Sequence, residues 1–519
     1  MTAMALPHEK LATSLEILRK LQEDGRRVFR SAELSRVHRE RLIAGGFLKP
    51  IVRGWVMASD PAADPGDTTP WFSSFWEFCG AYCDERFGDD WHLSAGQSLM
   101  LHAGNTAVPR QILVYSGRGS NNVLELPFQT TLIDTKETAR PPGTDIAKAD
   151  GLRLFRVEPG LIRSGERFFQ QHAIDARTVL CGPLRPSDLL GRLLDGGHSA
   201  IAGRLVGALR RVGTHKLAED IVSTMTAAGY RVVEKDPFEG MAVPLGNRAP
   251  ALAAAARRVT ELWAGSAEVV ARHFPPAPGR PNDIDAYLRR IEERYVEDAY
   301  HSLSIEGYRV TPALIDRVRR GDWNPDGSEE DRDHRNALAA RGYWGAFQLV
   351  KASIAEILRG AEAADVVERD HLAWYRALFQ PSVEVGLIAP GSLAGYRRHP
   401  IYIKGSRHVP MRAESVDDAM AAMFASMRAE HRPGVQAVLG HWLLGYIHPF
   451  PDGNGRSARF VMNALLAAGG YPWTVVRFEE CERYLAARDV ASLSGDVRAF
   501  SHLLGELLVG QRNRAGDAV

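Results

Sequence analysis

The sequence predicts a mainly α-helical protein: an all-helical C-terminal core with a β-hairpin flap, preceded by a helical domain with a two-stranded wing and by a small α/β domain. Length, linkers and apolar spacing predict this class. A chain of 519 residues, 45% hydrophobic and 24% charged, can form two to four globular domains. Proline-rich stretches at 60–67 and 236–250 mark linkers. Domains are therefore expected over 1–59, 68–240 and 251–510.

The first domain has the order helix, helix, helix, wing. Leucines spaced three and four apart predict a helix over residues 8–24, and Ser31 suits the N-cap of a short second helix. Arg36–Ile43 predicts the third helix, and Phe47–Met57 predicts the two strands of the wing. This order is that of a winged helix-turn-helix domain.

The same segment is basic, although the net charge of the whole chain is only +1. Between residues 25 and 55, eight Lys or Arg stand against two Glu. The pattern resembles the N-terminal winged helix of AbiE-type antitoxins, which binds DNA. In a winged helix the third helix enters the major groove, so four residues are expected to contact duplex DNA: Arg36, Arg39, Arg41 and Arg53. The alternatives are a protein-docking winged helix and a solvated basic face.

Residues 68–240 combine helical and strand patterns. Leu93–His102 has the pattern of a helix. Three segments have strand character: Ile112–Tyr115, Val123–Leu126 and Leu152–Val157. The region is also weakly similar to the second domain of AbiE-type antitoxins. It offers no catalytic constellation, and His92 and His102 are expected to be structural.

Cysteine usage and apolar runs indicate the compartment. The four cysteines are scattered and lack zinc-type partners, so free thiols in a reducing cytoplasm are expected. The N-terminus lacks the layout of a signal peptide, and no uncharged apolar run reaches the roughly 18 residues that span a bilayer. The sequence predicts a cytoplasmic protein that does not enter membranes.

One stretch carries the chemistry, from His448 to Arg459. The turn 453–455 has little side-chain bulk and precedes an apolar, helix-compatible run, so its backbone N–H groups can form an anion nest at a helix N-terminus. Arg456 and Arg459 share one face of the first helical turn and suit phosphates. Asp452 offers the hard oxygen that Mg²⁺ prefers. His448 is a candidate proton acceptor near neutral pH.

These residues match the Fic family motif, His-x-Phe-x-Asp/Glu-Gly-Asn-Gly-Arg-x-x-Arg, at all eight fixed positions. The resemblance implies transfer of AMP from ATP to a Ser, Thr or Tyr hydroxyl of a protein, with Mg²⁺ as the metal. It implies that His448 deprotonates the hydroxyl and that Asp452 holds Mg²⁺. Asn454 and the turn would bind the α- and β-phosphates, and Arg456 and Arg459 the outer phosphates. Ser457 and Ala458 complete the phosphate-binding turn.

A second motif, Ser302-Leu-Ser-Ile-Glu306-Gly307, matches the inhibitory motif of Fic proteins, Ser/Thr-x-x-x-Glu-Gly/Asn. It precedes the active-site motif, as in the subgroup whose inhibitory helix lies before the Fic core. The resemblance implies an ion pair between Glu306 and Arg459. In that arrangement the carboxylate would occupy the place of the γ-phosphate.

The segment at about 397–412 resembles the flap hairpin of the family, whose edge can hold a target by strand addition. The resemblance places Tyr402, Ile403, Lys404 and Gly405 over the nucleotide. It also places Tyr484 and Leu485 near the adenine. Eight residues after Tyr484, where the family often has Asn, this chain has Ser492. A nucleotide with a base other than adenine is therefore an open alternative.

The sequence therefore predicts an autoinhibited protein adenylyltransferase with a DNA-binding N-terminal module. One alternative is a phosphodiesterase that removes AMP from a modified protein. The other is a DNA-binding transcriptional regulator whose Fic domain senses nucleotide. The expected partners are ATP, a target protein with a modifiable hydroxyl, duplex DNA through residues 1–59, and a second copy of the chain in a homodimer.

Overall fold

The fold is mainly α-helical, as predicted. It is given by a computed structural model that describes residues 7–63, 66–239, 253–323 and 334–516. None of the helices in these ranges is both long and apolar enough to cross a membrane. The second predicted linker, 236–250, lies mostly outside the described residues, and so do the first residues of the N-terminal domain.

The N-terminal domain has helices α1 (Pro7–Leu21) and α2 (Arg36–Ala44) and strands β1 (Val28–Arg30), β2 (Leu48–Val52) and β3 (Trp55–Ala58). The predicted helix at Ser31 is wrong: Ser31–Glu33 is a single 3-10 turn that follows β1. Val28 and Phe29 are buried, and β1 pairs with β3 in a three-stranded sheet of order β1-β3-β2. Burial of these two side chains in the sheet outweighs the preference of Ser31 for a helix N-terminus.

The middle domain combines one long helix, α3 (Thr69–Phe87), with two small sheets and a cluster of short helices. Its strands are β4 (His92–Leu93), β5 (Gln111–Ser116), β6 (Asn122–Leu126), β7 (Thr130–Lys136), β8 (Ile146–Ala149) and β9 (Leu152–Phe155). Its helices after α3 are α4 (Ala95–His102), α5 (Val157–Arg163), α6 (Glu166–Gln171), α7 (Ala173–Leu180), α8 (Pro186–Asp195), α9 (Ser199–Arg211) and α10 (His215–Ala227). The four-stranded sheet has the order β4-β5-β7-β6, with β5 parallel to β7. The three predicted strands are present, whereas β7 was not predicted.

The C-terminal core is helical. Its helices are α11 (Ala254–His273), α12 (Ile284–Ile305), α13 (Pro312–Arg320), α14 (His334–Leu358), α15 (Ala363–Glu384), α16 (Val416–Ala429), α17 (Pro433–Ile447), α18 (Asn454–Ala468), α19 (Cys481–Ser494) and α20 (Arg498–Gly516). The residues of α17 are buried from Gly434 to Ile447. This helix is therefore the centre of the core, and α18 packs along it.

The predicted flap hairpin is only partly correct. Within 397–412 no strand is present, and the two arms, 401–403 and 407–409, are joined by a turn in which Ser406 N donates to Ile403 O (3.1 Å). The two arms do not pair with each other. Residues 407–409 form hydrogen bonds with Thr106 and Val108, whereas residues 401–403 lie along the cleft. We call residues 401–410 the flap.

Two buried ion pairs join the middle domain to the core. Arg177 on α7 contacts Glu261 on α11 (3.0 Å), and Asp175 on α7 contacts Arg258 on α11. Arg258 also donates to the hydroxyl of Tyr446 near the end of α17 (2.6 Å). Since removing one partner of a buried pair is strongly destabilising, these contacts hold the middle domain next to the cleft at the end of α17.

Candidate active site

The loop between α17 and α18 carries the motif predicted to be catalytic. His448 ends α17 in the left-handed region, with φ 55°, and Gly453 precedes α18 with φ 74°. A left-handed conformation is unfavourable for a residue with a side chain and persists only where the surroundings enforce it. Here Arg397 enforces it, since its Nε donates to His448 O (2.8 Å). This role of Arg397 was not predicted from the sequence.

The imidazole of His448 is set up to accept a proton. Its Nδ1 lies 3.1 Å from Gly445 O, so Nδ1–H donates to that carbonyl and the lone pair is left on Nε2. Burial and, next, the positive charge of Arg488 lower the pKa of His448 to about 3. The ring is therefore neutral at physiological pH, in the form that a general base requires.

The side chain of Asn454 braces the loop. Phe450 N donates to Asn454 Oδ1 (2.9 Å), and Asn454 Nδ2 donates to Phe450 O (2.8 Å). The Phe450 ring stacks on Tyr375 with centroids 4.0 Å apart. These contacts hold the loop in place where Asn454 lines the larger cavity of the cleft.

Asp452 is the exposed carboxylate of the loop, with a side chain 62% exposed. Its Oδ1 accepts from Gly453 N (2.6 Å), and its Oδ2 lies 3.4 Å from Arg456 Nη2. Mg²⁺ is commonly held by one or two carboxylates together with substrate phosphates and water. A single accessible carboxylate beside a phosphate nest fits that mode, although no cluster of three acidic, His or Cys ligands occurs in the described ranges.

The two motif arginines are buried and have unused donors. Arg456 is 1% exposed and lies over the rings of Phe379 (4.8 Å) and Tyr308 (5.3 Å). The Nε of Arg456 and the Nη1 of Arg459 are buried without a hydrogen-bond partner among the described residues. A buried N–H without a partner is costly, so these atoms indicate a site for an anionic ligand.

The predicted contact between Glu306 and Arg459 is present. Glu306 Oε1 lies 2.7 Å from Arg459 Nη2. Burial raises the pKa of Glu306, but the positive charges of Arg459 and Arg456, together with the hydrogen bond from Arg459, outweigh burial and hold this pKa below its usual value. The carboxylate also lies against Gly455, where a Cβ would overlap with its Oε1. It therefore occupies the first turn of α18, the position where a helix favours a negative charge.

Helix α12 presents Glu306 from a fixed position. Ser302, one turn earlier, accepts from Arg459 Nε at its hydroxyl (2.8 Å) and from Nη2 at its carbonyl (3.1 Å). Below it, Asp298 accepts from the hydroxyl of Tyr343 (2.6 Å). Arg459 thus has three partners on this helix and keeps two of them if the carboxylate is removed.

Two adjoining cavities form the cleft. A cavity of about 330 Å³ is lined by the motif loop, Glu306, Arg459 and the flap residues 401–404. A cavity of about 250 Å³ lies between the flap turn and α19. Ile403, Lys404, Leu485 and Arg488 line both. The predicted nucleotide-binding residues are thereby brought together, except that Arg456, Ser457 and Ala458 are buried in α18 and line neither cavity.

Helix α19 contributes residues to both cavities. Tyr484 is fully buried, its hydroxyl lies 2.7 Å from His441 Nε2, and it lines only the larger cavity. Ser492 and Asp489 line the smaller cavity, where Asp489 accepts from the hydroxyl of Ser406. The sequence analysis missed Asp489 and Arg488; the spacing of four would have revealed Arg488 as a neighbour of Tyr484 on α19.

Of the four arginines predicted to contact DNA, three already have partners within the protein. Arg41 donates to Lys10 O and to Ser14 Oγ (both 2.8 Å), and Arg39 donates to Ser31 O (2.6 Å). Arg36 pairs with Glu40 (2.7 Å) on the exposed face of α2. Arg53 is exposed at the tip of the wing. The segment therefore has fewer unengaged cations than its composition suggests.

Three buried histidines make the core sensitive to acid. Burial is the main cause that lowers the pKa of His371 and His441 and that lowers the pKa of His408 to about 4. The unfolded chain, with a histidine pKa near 6.5, binds these protons first as pH falls, so stability is lost from pH 6.5 downwards. Asp298 opposes the loss, since burial raises its pKa to about 6 and the folded state takes up that proton.

We expect His408 alone to contribute about 1 kcal/mol to the fall in the free energy of unfolding between pH 7 and pH 5.5, because burial lowers its pKa in the folded state to about 4. His408→Gln removes one titrating group and should make the fall smaller by about the same amount. Urea unfolding at the two pH values measures it. The exposed His431 is the control, since His431→Gln should leave the difference unchanged, and an equal fall in His408→Gln would contradict the assignment.

Comparisons with known proteins agree with the motif. Residues 365–466 match the model of the Fic/DOC family, a segment that includes the flap and His448 but not Glu306. Over 230 residues the chain is 29% identical to the protein adenylyltransferase Fic of Drosophila virilis, covering 43% of this chain and 44% of that protein. The protein of the same name from Culex quinquefasciatus is 28% identical over 228 residues, with 43% and 42% covered. The chain thus spans less than half the length of these curated relatives.

Among solved structures, a fragment of Fic-1 from C. elegans has a TM-score of 0.38 and 17% identity, with 70% of this chain and 96% of that chain covered. A Fic family protein from Desulfovibrio desulfuricans has a TM-score of 0.35 and 20% identity, with 53% and 77% covered.

Proposed function

We propose that this chain, whose residues 365–466 form a Fic domain, is an autoinhibited protein adenylyltransferase that transfers AMP from ATP to a hydroxyl of a target protein. One observation carries the proposal. A neutral His448 with a free Nε2 faces the same cavity as Arg459, whose buried Nη1 has no partner among the described residues. A proton acceptor beside a buried arginine at a helix N-terminus, where phosphate is favoured, suits transfer from a nucleoside triphosphate.

The chemistry follows from these positions. The target oxygen attacks the α-phosphorus as its proton passes to Nε2 of His448. The bond to the β-phosphate breaks, and pyrophosphate leaves with the electron pair. The backbone N–H groups of 454 and 455 and the guanidinium of Arg456 stabilise the negative charge on the phosphates. Mg²⁺ held by Asp452 would neutralise charge on the leaving group when it is bound.

Autoinhibition is the finer part of the proposal. Glu306 engages Arg459 and lies against Gly455, so a nucleotide must compete with a carboxylate for the same N–H groups. ATP that enters beside Glu306 would lack Arg459 for its outer phosphates. Its α-phosphorus would then be out of line with the attacking hydroxyl, and transfer would be slow.

Removal of AMP is the main alternative, because Glu306 could position a water molecule against a modified side chain. The two activities are separated by mass spectrometry of a target protein after incubation with ATP and, in parallel, of its AMP-modified form without ATP. Gain of AMP in the first sample supports transfer. Loss of AMP in the second sample alone favours the phosphodiesterase.

DNA binding by residues 1–59 and dimerisation stay predictions of the sequence. With about four to six phosphate contacts, the slope of log affinity against log salt is expected to be about −4 to −5. Fluorescence anisotropy of the full chain with a labelled duplex from its own operon measures the slope. Arg53→Ala should make it shallower by about one unit. Absence of binding at low salt would favour a protein-docking or structural role for this domain. It would also rule out the alternative of a DNA-binding regulator that senses nucleotide.

A further inference from the structure

We propose that Arg27 of the N-terminal domain, which stacks on Tyr402 beside the flap arm Ile401–Ile403, selects targets with an acidic side chain beside the modified hydroxyl. The proposal rests on the AMP transfer proposed above and names the chemistry of the target. The two arms of the flap differ in whether their backbone groups already have hydrogen-bond partners.

The outer arm, 407–409, is already engaged by the middle domain. Val108 N donates to Arg407 O (2.9 Å), and Arg407 Nη1 donates to Val108 O (3.1 Å). The hydroxyl of Thr106 donates to Val409 O (2.7 Å), and the side chain of Val409 packs against the core of that domain. A second chain cannot add along this edge without displacing residues 106–108.

The inner arm is open. The backbone groups of Ile401 and Tyr402 form no hydrogen bond with any described residue, and both residues are half-buried. They line the same cavity as His448. An extended segment can hydrogen-bond to such an edge through its own main chain, whatever its sequence. A segment held on this arm presents its hydroxyl towards Nε2 of His448.

Arg27 borders this arm from the opposite end of the chain. Its guanidinium carbon lies 4.6 Å from the centroid of the Tyr402 ring. The nearby carboxylate of Glu77 accepts from the backbone N–H groups of Arg27 (3.0 Å) and Val28 (3.1 Å). No ion pair of the Arg27 side chain occurs within 7–63, 66–239, 253–323 and 334–516, so its charge is not neutralised by a described partner.

The position of Arg27 suits recognition. A guanidinium stacked on an aromatic face keeps its edge donors available for a carboxylate, which it can bind in a bidentate manner. Arg398, at the base of the same arm, is exposed and forms no ion pair with the described part of the chain. Arg27 and Arg398 therefore place two cations that have no ion pair with the described residues along the arm that a target meets.

The test uses the full chain carrying Glu306→Gly and ATP labelled at the α-phosphate. The substrates are three synthetic peptides with one threonine each, identical except that the two residues flanking it are both Asp, both Gln or both Lys. The Asp peptide should be labelled roughly 3- to 10-fold faster than the Lys peptide, as is typical of partly exposed charge pairs. Arg27→Gln should level the ratio, and Arg27→Glu should reverse it.

The matched control is Lys20→Glu, the same change of charge sign on an exposed residue of α1, which should keep the preference for Asp. The ratio between peptides does not depend on how much of a variant is folded. An unchanged ratio in Arg27→Glu, or no preference in the parent, would overturn the proposal. Self-labelling without labelling of any peptide would overturn docking on the flap arm while leaving AMP transfer intact. Absence of self-labelling as well would overturn both AMP transfer and docking on the flap arm.

Discussion

The Glu306→Gly protein is expected to transfer AMP about 5- to 150-fold faster than the unaltered chain, the range that an inhibitory coupling of roughly 1–3 kcal/mol produces. Removing the carboxylate frees one N–H of Arg459 Nη2 and leaves the first turn of α18 open to the phosphates. Arg459 keeps its two contacts with Ser302, so its charge is not left alone in the interior. Incorporation of label from α-labelled ATP measures the rate.

Two variants accompany this measurement. Glu306→Gln keeps the size of the side chain but removes its charge, and an intermediate rate is expected because the amide still fills the turn. Arg459→Ala also breaks the ion pair, yet it removes a phosphate ligand and should not be faster than the unaltered chain. Equal rates for Glu306→Gly and the unaltered chain would rule out the proposed inhibition.

His448→Ala in the Glu306→Gly background is expected to lower transfer by about 10²- to 10⁴-fold, the typical loss of a general base. The imidazole donates from Nδ1 to Gly445 and touches the substrate hydroxyl only through Nε2. ATP affinity should therefore change little, and isothermal titration with ATP checks this separately from the rate.

The control for that variant is His431→Ala. His431 is exposed before α17, and His448 follows the other end of this 15-residue helix, about 22 Å away along its axis. Its loss should leave transfer unchanged. If His448→Ala transferred AMP at the parent rate, another group would have to take the proton, and the assignment of His448 would be wrong.

Local sequence predicted the active site well because its parts are close in the chain. The glycine turn, the helix it opens and the two arginines lie within 453–459, where helical spacing alone fixes their common face. The contact between Glu306 and Arg459 spans 153 residues and was predicted only through the resemblance of two motifs. Asn454 shows the limit of this approach, since its two hydrogen bonds with the backbone of Phe450 could not be predicted from spacing.

The features that sequence could not predict depend on distant contacts. Ser31 has the signal of an N-cap, but pairing of β1 with β3 sets the local structure. The flap has the composition of a hairpin, but its outer arm bonds to Val108 in another domain. The approach of Arg27 to Tyr402 joins two domains far apart in sequence. No periodicity within either segment carries information about such contacts.

The most direct test of the central claim compares two labels on the same substrate. The Glu306→Gly protein is incubated with Mg²⁺, a target protein and ATP that carries its label at either the α- or the γ-phosphate, and protein-bound label is measured. Transfer of AMP predicts label on protein from the α-labelled ATP and none from the γ-labelled ATP. The label from α-labelled ATP should be lost in the protein that also carries His448→Ala. Label retained from the γ-phosphate would show phosphoryl transfer instead and would contradict the account.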